Sequence, residues 1–116
     1  MRFTDYIWID AIKPEIKATD KRGIVHEMVQ SLVDVGAIKK KVYEDIVKAI
    51  IKREELGSTG IGRGIALPHT KIPSTKRHVG TLAISTDGID FDCLDDEKAY
   101  LFFMVISPPD CRWLLR

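Results

Sequence analysis

A chain of 116 residues with a 45% hydrophobic share has material for one packed core and not for two. Eighteen basic against seventeen acidic residues leave a formal charge of +1, which argues against a dedicated polyanion binder such as a nucleic-acid protein. The opening MRFTDYIWID has no basic patch before an apolar stretch and no small-residue cleavage site, and no later apolar run approaches membrane-spanning length, so a cytoplasmic chain without membrane insertion is expected.

Ile7, Ile9, Ile12 and Ile16 follow no helical period and Pro14 interrupts them, which predicts a short strand or extended lead-in. A first helix follows, with Thr19 or Asp20 as its cap, Ile24, Met28, Leu32 and Val35 on its apolar face, and Gly36 as its stop. A second helix is predicted from about Lys40 to Leu56, with Val42, Ile46, Val47, Ile50 and Ile51 facing inward, Lys, Glu and Asp facing out, and Gly57 ending it. Gly57 to Gly64 carries four glycines beside Ser58 and Thr59 and reads as an irregular loop able to approach a ligand closely.

Ile65 to Leu67 then form a short strand that Pro68 ends, so His69 stands where the strand leaves the sheet. The Lys76, Arg77, His78 cluster is read as a solvated loop. Val79 to Ser85 forms another strand, Asp87 and Gly88 a turn, and Ala99 to Ile106 a strand buried on both faces. The expected class is α/β or mixed α+β, a mixed central sheet flanked by helices, in a single domain over residues 1–116.

Two phosphate-binding patterns fail on this loop. A P-loop needs G-x-x-x-x-G-K-[ST] between strand and helix, and here Arg63 and Gly64 follow Gly62 in a loop that leaves a helix. The dinucleotide fingerprint fails on its third spacing and on the order of elements. Cys93 and Cys111 are distant, form no C-x-x-C pair and read as two thiols; together with His26, His69 and His78 they offer no zinc-like spacing, so neither metal nor cofactor is expected.

What remains is a histidine at a strand end, preceded by glycines, hydroxyls and arginines, an arrangement suited to phosphoryl transfer. A neutral imidazole has one unprotonated nitrogen able to attack phosphorus, and a hydrogen bond at the other nitrogen decides which one it is. The transferred group spreads charge over its oxygens, so the protein's task is to position and neutralise it. Ser58 and Thr59 can donate to those oxygens or shape the turn through side-chain to backbone bonds.

The stretch REELGSTGIGRGIALPHTK closely resembles the signature of the type 2 EIIA domains of the phosphoenolpyruvate-dependent phosphotransferase system (PTS), the fructose, mannitol and nitrogen-regulatory class. The likeness extends over roughly the first 110 residues, through the helix ending in VGAI and the segment DFDCLDDEKAYLFFMVISPP.

The resemblance implies a mixed sheet flanked by helices. It also implies that His69 accepts a phosphoryl group from a histidine phosphocarrier protein. The group then passes to a cysteine on a sugar-specific IIB domain, or stays as a regulatory mark read by a target protein. By the same match Arg53 neutralises the phosphohistidine, Ser58 and Thr59 belong to the active-site loop, and Arg63 is a secondary candidate. Arg53 equally fits a solvated charge favoured by the dipole at a helix C-terminus. Members of this family continue after the SPP segment into a helix opened by His-Leu, whereas this chain reads Cys111-Arg112-Trp113-Leu114-Leu115-Arg116. The last helix is therefore expected to be absent or altered after about residue 110, with self-association through surface such as Trp113 and Leu114.

Overall fold

The structure is a computed structural model, and it describes residues 5–109 other than 74 and 76. The expectations placed on Cys111, Trp113, Leu114 and the last helix lie outside the described residues.

Helix α1 spans Lys21–Asp34 and starts where Asp20 Oδ1 accepts the Gly23 amide at 2.7 Å, satisfying one of the four orphan donors of a helix start. It buries Ile24, Val25, Met28, Val29 and Leu32. Gly36, at φ +80, then lets the Ala37 amide return to the Leu32 carbonyl at 2.9 Å, a glycine-closed helix end. A single 3-10 turn at Lys40–Val42 leads into α2, Tyr43–Glu55, which buries Ile46, Val47, Ile50 and Glu54.

Five strands follow: β1 Gly60–Gly62, β2 Ile65–Ala66, β3 His69–Lys71, β4 Val79–Ile89 and β5 Ala99–Ser107. Strand β5 is the centre of the sheet. Antiparallel β4 lies along one side of it, and parallel β2 and β3 share the other, with β1 antiparallel outside β2. Extended lead-in residues bridge the far edge, Ile7 with Gly80 and Lys13 with Ala83, as the period-free N-terminal pattern suggested.

One core joins sheet to helices. Val79, Ala83, Phe102, Met104 and Ile106 pack with Ile24, Met28, Leu32, Ile46 and Ile50, each 4% exposed or less. Burying side chains of this size stabilises by about 1.5–3 kcal/mol apiece before entropy is counted.

The structure departs from the sequence reading at several places. The Gly57 to Gly64 stretch is half loop and half hairpin, because Arg63 (φ +57) and Gly64 (φ +80) make the two-residue left-handed turn that matches strand twist. Asp87 and Gly88 do not end a strand but lie within β4. Its register shifts between Ile84 and Ile89, and Gly88 at φ +80 absorbs the irregularity beneath Tyr100. Strand β5 is covered on both faces only in its second half, Tyr100 and Leu101 being exposed. His78 is buried rather than solvated, against the Tyr6 ring at 6.0 Å, and burial pushes its imidazole below the ordinary histidine range.

Candidate functional site

His69 is the first residue of β3 and not a residue beyond the sheet. Strands β2 and β3 follow one line along β5: Ile65 and Ala66 pair with Leu101 and Phe102, then His69, Thr70 and Lys71 with Val105, Ile106 and Ser107. The interruption falls at Leu67 and Pro68. Proline has no N–H to give, and the Leu67 N–H turns away to the Thr59 carbonyl at 3.0 Å. Pro68 still accepts from the Val105 amide at 3.1 Å, which keeps the register across the gap.

The gap has a chemical result. The Leu67 carbonyl accepts a hydrogen bond from His69 Nδ1 at 2.8 Å. A carbonyl cannot donate, so Nδ1 carries a proton, and in the neutral ring the lone pair is on Nε2. The ring is partly buried.

The residues expected around it are placed as follows. Arg53 lies in the last turn of α2, and its Nη1 donates to the Gly57 carbonyl at 2.9 Å, closing the helix end as a basic residue there commonly does. Ser58 Oγ donates to the Phe91 carbonyl at 2.5 Å and accepts the Gly60 amide at 2.9 Å. Thr59 is buried; its hydroxyl donates to Glu54 and its amide reaches both Glu54 oxygens at 3.1 Å. These three side chains thus hold the loop that meets Leu67, and in this arrangement the two hydroxyl protons are used within the protein. Arg63 is exposed at the hairpin tip, its amide held by Asp95 Oδ2 at 2.8 Å.

Gly60 is fixed by close approach: a Cβ there would stand 2.5 Å from Cys93 Sγ and 3.0 Å from Cys93 Cα. The Leu94 amide donates to the Gly60 carbonyl at 3.2 Å, so the Asp90 to Glu97 segment clasps the glycine loop. Cys93 itself is a buried free cysteine whose thiol burial pushes upward, away from the reactive thiolate. Among the described residues no group of three His, Cys, Asp or Glu side chains could hold a metal, and no helix is long and apolar enough to cross a membrane.

Asp95 provides a pH handle on the clasp. Hydrogen bonds from the Arg63 amide, then from the Glu97 amide, hold its carboxyl below the usual aspartate value. A depressed carboxylate stabilises the fold above its unfolded pKa, and that contribution disappears as pH falls through the folded value. The protection factor of the Arg63 amide, its exchange rate relative to the free chain at the same pH, is therefore expected to be flat from about pH 8 to 5 and to fall below about pH 4. In Asp95→Asn the acid dependence should vanish; its persistence would assign the effect to another group.

Sequence reasoning missed Glu54, taking the acidic residues of α2 as its exposed face. It is 8% exposed, bonds Thr59 and forms an ion pair with Lys21 Nζ at 2.9 Å. The signal was present, since Glu54 falls on the helical stripe of Ile46, Val47 and Ile50.

Comparison with known proteins agrees with this architecture. The fold superposes on nitrogen regulatory protein IIA-Ntr of Neisseria meningitidis with a TM-score of 0.82 at 23% identity, covering 92% of this chain and 71% of that one. It also matches Escherichia coli enzyme IIA mannitol, solved in complex with phosphorylated enzyme IIB mannitol, with a TM-score of 0.71 at 21% identity over 90% of this chain and 73% of that one. Both likenesses define a IIA-type fold. Over residues 6–113 the chain matches the family described as phosphoenolpyruvate-dependent sugar phosphotransferase system, EIIA 2, and it belongs to that family of phosphotransfer proteins. It is 36% identical over 108 residues to the fructose-specific EIIABC component of Bacillus subtilis, covering 92% of this chain and only 16% of that protein's length.

Proposed function

We propose that His69 Nε2 is the phosphoryl acceptor of a PTS carrier domain, loaded by a histidine phosphocarrier protein and discharged to a IIB domain. The observation that supports this most directly is the 2.8 Å bond from Nδ1 to the Leu67 carbonyl, which leaves the in-plane lone pair on Nε2. In the step, the Nε2 lone pair forms the new N–P bond while the donor's N–P bond breaks and its electron pair returns to the donor ring. The His69 ring gains positive charge, and the proton stays on Nδ1, donated to the Leu67 carbonyl throughout, so no separate base is needed.

Arg53, at the mouth of the same loop, is the cation for the incoming phosphoryl oxygens; Ser58 and Thr59 serve there by exchanging their internal partners for those oxygens. Leu56, Ile61 and Leu94 stand 83%, 57% and 81% exposed on and beside the loop, which suits a protein as donor and acceptor better than a free sugar. The same surface also suits a second reading, a nitrogen-regulatory type of module whose phosphorylation changes which protein it binds.

Incubation with phosphoenolpyruvate, the first enzyme of the system and its phosphocarrier should give an acid-labile phosphate on Nε2, read by mass spectrometry and 31P NMR. A folded chain that takes no label, or takes it elsewhere, would sink the proposal. Discharge to fructose- or mannitol-type IIB domains favours the carrier; a partner captured in one phosphorylation state alone favours the regulatory module.

A further inference from the structure

Glu54 is a buried carboxylate that the phosphotransfer reading leaves without a task. It accepts the Thr59 amide on both oxygens at 3.1 Å, accepts the Thr59 hydroxyl, and pairs with Lys21 Nζ at 2.9 Å. Lys21 opens α1, and its Nζ also meets Asp92 at 3.3 Å and lies 4.8 Å from the centre of the Phe91 ring. A desolvated carboxylate is costly unless its lone pairs are filled, and here two donors of one residue and a cation fill them.

Thr59 is also the residue whose carbonyl receives the Leu67 N–H at 3.0 Å. The opposite end of that residue, the Leu67 carbonyl, holds His69 Nδ1 at 2.8 Å. Glu54, Thr59, Leu67 and His69 thus form one hydrogen-bonded line from the end of α2 to the imidazole. Each link fixes the backbone that makes the next.

We propose that Glu54 is a positioning residue for His69: by fixing Thr59 it sets the place of Leu67, and through the Leu67 carbonyl it selects the Nδ1–H tautomer that leaves Nε2 nucleophilic. The role in turnover rests on the phosphohistidine reading above; the effect on the tautomer does not. A clamp that merely kept the loop folded would lower stability when removed and leave the tautomer as it was.

The test is 15N NMR of the His69 ring in the full chain without any phosphoryl donor, in Glu54→Gln and in Thr59→Val, two substitutions of nearly equal volume. The ratio of Nδ1–H to Nε2–H forms should fall about fivefold in Glu54→Gln, the scale of losing one net hydrogen bond, and by less in Thr59→Val. The rate of label uptake from the phosphocarrier should fall alongside it.

An unchanged ratio in folded Glu54→Gln overturns the inference, and so does a changed ratio with an unchanged uptake rate. If Glu54→Gln fails to fold, the ratio in Thr59→Val decides alone. A shifted ratio in a chain whose wild type takes no label supports the positioning role and sinks the phosphohistidine reading.

Discussion

His69→Ala is expected to take no label from a phosphorylated carrier, a loss of more than about a thousandfold, because removing a covalent nucleophile leaves nothing to hold the group. His69→Gln should fail as completely, since an amide nitrogen has no available lone pair. The two other histidines are held differently. His26 Nδ1 lies 2.6 Å from the Tyr43 hydroxyl between the helices, and His78 is buried against Tyr6. Label retained in either variant, with its circular dichroism unchanged, would move the reaction to one of those residues and refute the assignment.

Phe102→Ala should be the most damaging change to the fold. Phe102 is fully buried at the middle of the central strand and meets Phe91 edge-on, with ring centres 5.6 Å apart. Truncating a buried phenylalanine costs about 3–5 kcal/mol, against a total stability of about 5–15 kcal/mol for a domain of this kind. At about 4 °C or more of Tm per kcal/mol, the melting temperature should fall by about 12 °C or more. Thermal melting followed by circular dichroism measures that shift and urea titration the free energy, and a loss below about 1 kcal/mol would mean that the core repacks around the void.

That substitution should also reach the site, because the Phe91 carbonyl receives the Ser58 hydroxyl. Label uptake by the part that remains folded is expected to slow even at temperatures where most of the chain is native.

The helices were legible in the sequence because their information is local: Asp20 as a cap, Gly36 as a stop and a three-to-four residue spacing of apolar side chains need no knowledge of the rest of the chain. His69 stood out as a candidate for the same reason, as part of a motif within a few residues. What escaped was non-local. The Gly60 to Gly62 strand exists because β2 pairs with it, and its three residues, two of them glycine, announce no strand. Asp87 and Gly88 carry turn chemistry, yet the partner strand draws them into a shifted ladder. Glu54 looked like one more surface charge until Lys21 and Thr59 were brought to it from either direction along the chain. The local reading reached phosphoryl transfer, the resemblance to type 2 EIIA domains attached it to a named system, and membership of that family agrees with it.

The break between β2 and β3 has a consequence for how such a protein tolerates change. The group that holds the proton on His69 is a peptide carbonyl, and every amino acid at position 67 supplies one. An alanine scan would therefore pass over this bond without registering it, and drift at Leu67 can alter packing while leaving the acceptor in place. The durable instruction is the proline that follows, which has no N–H to give to the ladder and so keeps the gap open, whatever side chain precedes it.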